Sequence, residues 1–126
     1  MKKTLFLILA LLMTATLGLA ACGGAPAAPV PKGDAANGQK LFAGTCAACH
    51  GLTAQGVKNL GKDLTTSEFV ASKNDDELVA FIQVGRGVDD PANTTGVAML
   101  PRGGNPGLTD SDLYDIVAYI RTLHKK

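Results

Sequence analysis

The last stretch of the chain carries the clearest periodicity. Leu113, Ile116, Val117, Ile120 and Leu123 recur every three or four residues, which predicts an amphipathic helix. Thr109 with Asp112 three positions on reads as its capping box, and Leu108 just ahead as a hydrophobic staple. A second helix is expected from Asn74, with Glu77 closing another capping box. Leu78, Val79, Phe81 and Ile82 form its apolar side, and Gly85 its end. A third is expected over 35–42, capped by Asp34 and carrying Leu41 and Phe42. No alternating apolar and polar run suggests a strand, and no internal repeat is visible. Between Gly85 and Leu108 lie six glycines and three prolines, a long connection of the kind that accompanies function or a bound ligand. The expectation is an all-α domain of three to five short helices and long loops.

A different pattern governs the first residues. Lys2 and Lys3 precede an almost unbroken apolar run from Leu5 to Leu19, followed by small residues. That is the layout of a secretory signal; an uncleaved membrane helix is the rival reading. The ending Leu19-Ala20-Ala21-Cys22 resembles the lipobox of bacterial lipoproteins, in which the peptidase cuts before the cysteine and its thiol carries lipid. Residues 1–21 are therefore read as a lipoprotein signal peptide and Cys22 as the lipidation site. Residues 22–33 form a lipid anchor and spacer rich in proline and alanine. Pro26, Pro29 and Pro31 favour extended backbone, and at about 3.1 Å per residue ten such residues reach roughly 30 Å. The expected location is outside the cytoplasm, on a bacterial membrane.

Composition narrows the rest. Twelve Lys and Arg face eleven Asp and Glu, for a formal net charge of +1. This excludes a basic nucleic-acid binder and an acidic disordered tail. Aromatic residues make up only 5% of the 126, with no Trp, so something besides side chains can fill the core.

The chemistry sits at Cys46-Ala47-Ala48-Cys49-His50, the C-x-x-C-H signature of c-type haem attachment. Two cysteines three apart lie on one side of a helical turn, so each thiol can add to one haem vinyl group while His50 meets the iron. A thioredoxin-like pair would need a βαβ setting, and a four-ligand zinc site would need two more ligands, where the mature chain offers one other His, His124, and one other Cys, Cys22, which the lipobox claims.

With this motif the sequence resembles the class I monohaem c-type cytochromes over roughly Gly33 to Leu123. Gly38 and Phe42 stand ahead of the motif where that family places a glycine and an aromatic, and Tyr119 matches the aromatic of the last helix. The resemblance implies a cytochrome c-like fold over residues 34–126 wrapped around one covalent haem c. It implies electron transfer without enzymatic chemistry, and a sixth iron ligand from a methionine before the last helix. Met99 alone has that placement, since Met1 and Met13 lie in the signal. Cys46, Cys49, His50 and Met99 are thus the expected cofactor-binding residues, with His50 and Met99 on the metal. An open sixth position, as in a haem enzyme or gas sensor, is the alternative.

The chain departs from the family at Met99-Leu100-Pro101, where many members read Met-Pro. It also lacks the proline that often follows the haem motif and orients the histidine. A backbone carbonyl near 59–61 is the expected acceptor for the His50 ring N–H. His124 is expected to cap the last helix electrostatically. Arg86 and Arg102 flank the methionine loop, each as a partner for a haem propionate or as a solvated charge. Lipobox, spacer and small cytochrome together look like cytochrome subunits of bacterial respiratory complexes, such as that of alternative complex III. The haem domain is similar to the cytochrome modules of cbb-type oxidases. The expected partners are a membrane, through the lipid, and redox proteins or a membrane electron-transport complex.

Overall fold

The computed structural model describes residues 32–125. The signal peptide, Cys22 and almost all of the spacer lie outside the described residues. Helix α1 spans Ala35–Thr45, α2 Ala47–His50, α3 Glu68–Ser72, α4 Asp75–Val84 and α5 Asp110–Leu123, with a 3₁₀ turn at Pro101–Gly104 before α5. Among the described residues there is no strand. Two isolated antiparallel bridges, Val57 with Gly61 and Arg86 with Met99, stitch the loops. The domain is all-α, as the periodicity indicates, and among the described residues no helix is long and apolar enough to cross a membrane.

The predicted caps form. The Asp34 carboxylate accepts from the amides of Ala36 and Asn37, and both capping boxes, Asn74 with Glu77 and Thr109 with Asp112, are complete. Each satisfies amides that a helix start leaves without partners. Helix α1 runs past the expected end at Phe42 to Thr45. Gly44 does not stop it, because the chain continues directly into the next helical turn. Cys46 keeps right-handed helical backbone, and its N–H donates to the Phe42 carbonyl at 2.8 Å. The short α3 carries no periodic signature; at five residues it is shorter than any pattern can register. Its Ser67 cap accepts from the Val70 amide at 3.3 Å.

The core forms where α1 crosses α5. Phe42, Leu113, Ile116 and Val117 are buried almost completely, with Leu78, Val79 and Ile82 of α4 and Leu108 in the same cluster. Phe42 and Tyr119 meet edge to face with ring centroids 5.5 Å apart, a geometry that adds about 0.5–1.5 kcal/mol to area burial. The crossing is close because Gly38 has no side chain: a Cβ there would overlap the carbonyl oxygen of Asp115. Asp115 also fastens the start of α1, accepting from the Asp34 amide at 2.7 Å and from the Asn37 side-chain amide at 2.8 Å. At the same face the Lys32 ammonium reaches Asp76 at 2.7 Å, and the Tyr114 hydroxyl donates to Asp76 at 2.6 Å. Those two hydrogen bonds hold the Asp76 carboxyl below its ordinary range.

At the other end Arg121 of α5 donates to the carbonyls of Val70 and Lys73 and pairs with Asp75 at 2.9 Å, tying α5 to α3 and α4. His124 is the C-cap residue of α5 through its backbone N–H, which donates to the Ile120 carbonyl, while its ring Nε2 lies 3.1 Å from the Ser67 carbonyl at the start of α3.

The crossing yields a direct test. Gly38→Ala forces α1 away from α5 and is expected to lower the unfolding free energy of the holoprotein by roughly 1–3 kcal/mol, read by denaturant titration. Gly44→Ala, which meets nothing within 4 Å, is expected to leave it unchanged or slightly raised.

Candidate functional site

The helical turn that follows α1 presents the C-x-x-C-H motif to a cavity of about 440 Å³. That volume lies in the range of small-molecule and cofactor sites. Cys46, Cys49 and His50 line it on one element; Phe81 and Ile82 of α4 and Ile116 and Ile120 of α5 supply apolar wall. Met99 lines the same cavity, although it lies far along the chain from the motif. All four residues expected at the cofactor from the sequence are therefore brought together, while Cys22 lies outside the described residues.

The turn itself is ordinary helix: the His50 amide donates to the Cys46 carbonyl at 2.9 Å and the Gly51 amide to the Ala47 carbonyl at 2.8 Å. Both thiols are free and half-buried. Burial pushes the Cys46 thiol up to about 11, with a smaller contribution from Cys49. Thiol-exchange enzymes show the opposite shift, because their attacking cysteine must ionise near neutrality. Cys46 is thus poorly suited to attack a disulfide.

His50 is oriented by main chain. Its Nδ1 lies 2.8 Å from the carbonyl oxygen of Lys62. A carbonyl can only accept, so Nδ1 carries the proton and Nε2 the lone pair. The acceptor falls one residue beyond the expected 59–61 window. Val57 and Gly61 exchange two backbone hydrogen bonds at 3.0 Å, so the Gly61 carbonyl is already taken, and the next one along, that of Lys62, meets His50. This loop does for His50 what a proline-borne carbonyl does elsewhere in the family that the motif suggests.

Met99 is also held by main chain. Its amide donates to the Arg86 carbonyl at 2.9 Å and its carbonyl accepts from the Arg86 amide at 2.8 Å. The long connection from Gly85 is therefore pinned rather than structureless. Of the two flanking arginines, only Arg86 lines the cavity. Arg102 donates to the Leu108 carbonyl at 2.8 Å and pairs with Asp110 at 2.7 Å, holding the 3₁₀ turn to the start of α5. Sequence reading left the two arginines equivalent because their contacts depend on how the loop closes.

The donor set fits haem c. Two thiols one helical turn apart suit two vinyl groups, and an imidazole nitrogen and a thioether suit iron. An apolar cavity of this size suits a porphyrin. Comparison with known proteins agrees. Residues 35–124 match the family model for cytochrome c. Cytochrome c6 of Diacronema lutheri is 31% identical over 70% of this chain and 94% of its own length. Cytochrome c-554(547) of Halothiobacillus neapolitanus is 32% identical over 72% of this chain and 98% of its own. The subunit CcoP of the cbb3-type cytochrome c oxidase of Rhodobacter capsulatus is 27% identical over 75% of this chain, which corresponds to 31% of that longer protein. No solved structure matches significantly.

The fold and cavity define an all-α haem-binding domain. The chain belongs to the cytochrome c family, as a class I monohaem c-type cytochrome with one covalently attached haem c and electron transfer as its activity.

Proposed function

We propose that the protein is a membrane-tethered electron carrier whose haem iron is held between His50 and Met99. The observation that carries this reading is the convergence of both side chains, with Cys46 and Cys49, on one apolar cavity. The haem supplies a one-electron Fe(II)/Fe(III) couple. The protein's own residues keep that couple in fixed surroundings. Cys46 and Cys49 anchor the porphyrin edge through thioethers. His50 offers Nε2, its ring fixed by the Lys62 carbonyl. Met99 offers its thioether from a backbone locked to Arg86. Fixed ligands mean little rearrangement per electron, and a sulfur ligand together with apolar walls favours the ferrous state.

The tether is proposed from the Leu19-Ala20-Ala21-Cys22 ending and the spacer. Cleavage before Cys22 would leave a lipid on the new N-terminus and the haem domain on the extracytoplasmic side of a bacterial membrane. There it would act as a shuttle or as a subunit of a respiratory or photosynthetic electron-transport complex. Small cytochromes and an oxidase subunit among its relatives support both roles. The combination of lipobox, spacer and small cytochrome makes a subunit like that of alternative complex III one such setting.

Two measurements test the reading. The oxidised holoprotein is expected to show a sulfur-to-iron charge-transfer band, and the reduced form to leave carbon monoxide unbound. Met99→Ala is expected to abolish the band and admit carbon monoxide. Rapid carbon monoxide binding by the unaltered protein would instead mean an open iron and a catalytic or sensing role. For the tether, the unaltered protein is expected to partition with membranes and to yield an acylated N-terminal Cys22 by mass spectrometry. Cys22→Ser is expected to retain an unprocessed, unacylated N-terminus; an identical N-terminal mass in both would contradict lipidation.

A further inference from the structure

No residue from Gly87 to Ala98 is buried. This loop lies over the cavity, with Ala92, Asn93, Thr94 and Thr95 on its lining. It nevertheless buries no residue in the framework: Val88 is exposed, and Val97, which with Ala98 also borders the cavity, is 40% exposed. In this structure polar contacts hold it. Inside the loop these centre on Asn93, whose Nδ2 donates to the carbonyls of Gly87 and Val97 at 2.9 Å, while its Oδ1 accepts from the amides of Thr95 and Gly96. Those bonds shape the loop but do not fasten it to the domain.

Arg86 does. Its guanidinium carbon lies 5.1 Å from the centre of the Phe69 ring and 4.8 Å from that of Phe81, two rings that themselves meet edge to face at 4.8 Å. Phe69 comes from α3 and Phe81 from α4, so the guanidinium is seated against the framework. From that seat Nη1 donates to the Ala92 carbonyl at 3.4 Å, and Nε lies 3.4 Å from the Asp90 carboxylate. The same residue's main chain pairs with Met99. On the preceding residue, Gly85 takes a φ of +75°, and a Cβ there would overlap the Met99 carbonyl oxygen, so the approach is close.

We propose that Arg86 is the positioning residue that keeps Met99 at the iron, its side chain closing the 87–98 loop while its backbone carries the methionine. The proposal rests on Met99 being the sixth ligand. Release of Met99 from the iron requires the segment paired with Arg86 to move, and the loop must open with it. Seating the guanidinium between framework and loop disfavours that opened state. An external ligand binds only that state, so its apparent affinity is its intrinsic affinity scaled by the opened fraction. Losing a cation stacked on two aromatic rings is expected to raise the opened fraction about tenfold.

The test titrates imidazole into the oxidised holoprotein and follows the charge-transfer band. Arg86→Gln is expected to bind imidazole about tenfold more tightly than the unaltered protein. Arg86→Lys keeps the charge but cannot span Ala92 and Asp90 from one planar group, and is expected to fall between the two. Unchanged imidazole affinity in Arg86→Gln would overturn the proposal. Should that variant not fold, Arg86→Lys decides alone, and affinity equal to that of the unaltered protein would overturn the closing role. Met99→Ala separates the two ideas. If it leaves the band and the titration unchanged, the ligand assignment itself fails. If it removes the band while both Arg86 variants titrate like the unaltered protein, only the role of Arg86 fails.

Discussion

The contact on which the rest depends is the close crossing of α1 and α5. Gly38 lets the two backbones approach until the Asp115 carbonyl fills the space a side chain would need, and Phe42 then reaches Tyr119 one turn further on. Because Cys46 continues the helical backbone, the orientation of α1 sets the orientation of Cys46, Cys49 and His50. An error at the crossing would be carried along a rigid rod to the haem attachment turn. The polar contacts at Asp34, Asn37 and Asp115 fix the same rod at its start. Packing and capping thus act on one mechanical link.

The two sides of the proposed iron site are secured by the same device. His50 and Met99 each rely on a main-chain partner, the Lys62 carbonyl for one and the paired amide and carbonyl of Arg86 for the other. Backbone groups in short folded loops have few alternative positions, so main chain aims both side chains, and the proposed part of the Arg86 side chain is to keep the loop that carries Met99 closed. This matters for electron transfer, where geometry that changes with oxidation state slows each step. The loops that look irregular in sequence are therefore the parts that hold the reactive geometry, and the helices are what hold the loops.

How much of this could be read from the sequence follows from the range of the forces involved. The caps at Asp34, Asn74 and Thr109 and the stripe of α5 are local, and the structure contains them as expected. The haem motif is local too, as is the placement of Met99 in a glycine-rich connection. The family resemblance extended this reading to the aromatic pair, which the crossing then explains. What could not be read was set by tertiary closure. The carbonyl behind His50 shifted by one residue because Val57 and Gly61 pair with each other. Arg86 and Arg102 looked alike, yet one is seated on two phenyl rings and the other spans a turn to Asp110. Helix α3 is too short to announce itself, although its Phe69 provides half of the arginine's seat.

The central claim is that a methionine sulfur from this chain completes the iron coordination. The most direct measurement is a proton NMR spectrum of the reduced holoprotein. A methyl group bound through sulfur at the iron sits over the porphyrin face, where the ring current moves its signal far upfield of every other resonance. The account predicts one such three-proton signal, lost in Met99→Ala. A reduced protein with no upfield methyl signal, or one whose signal survives that substitution, would contradict it.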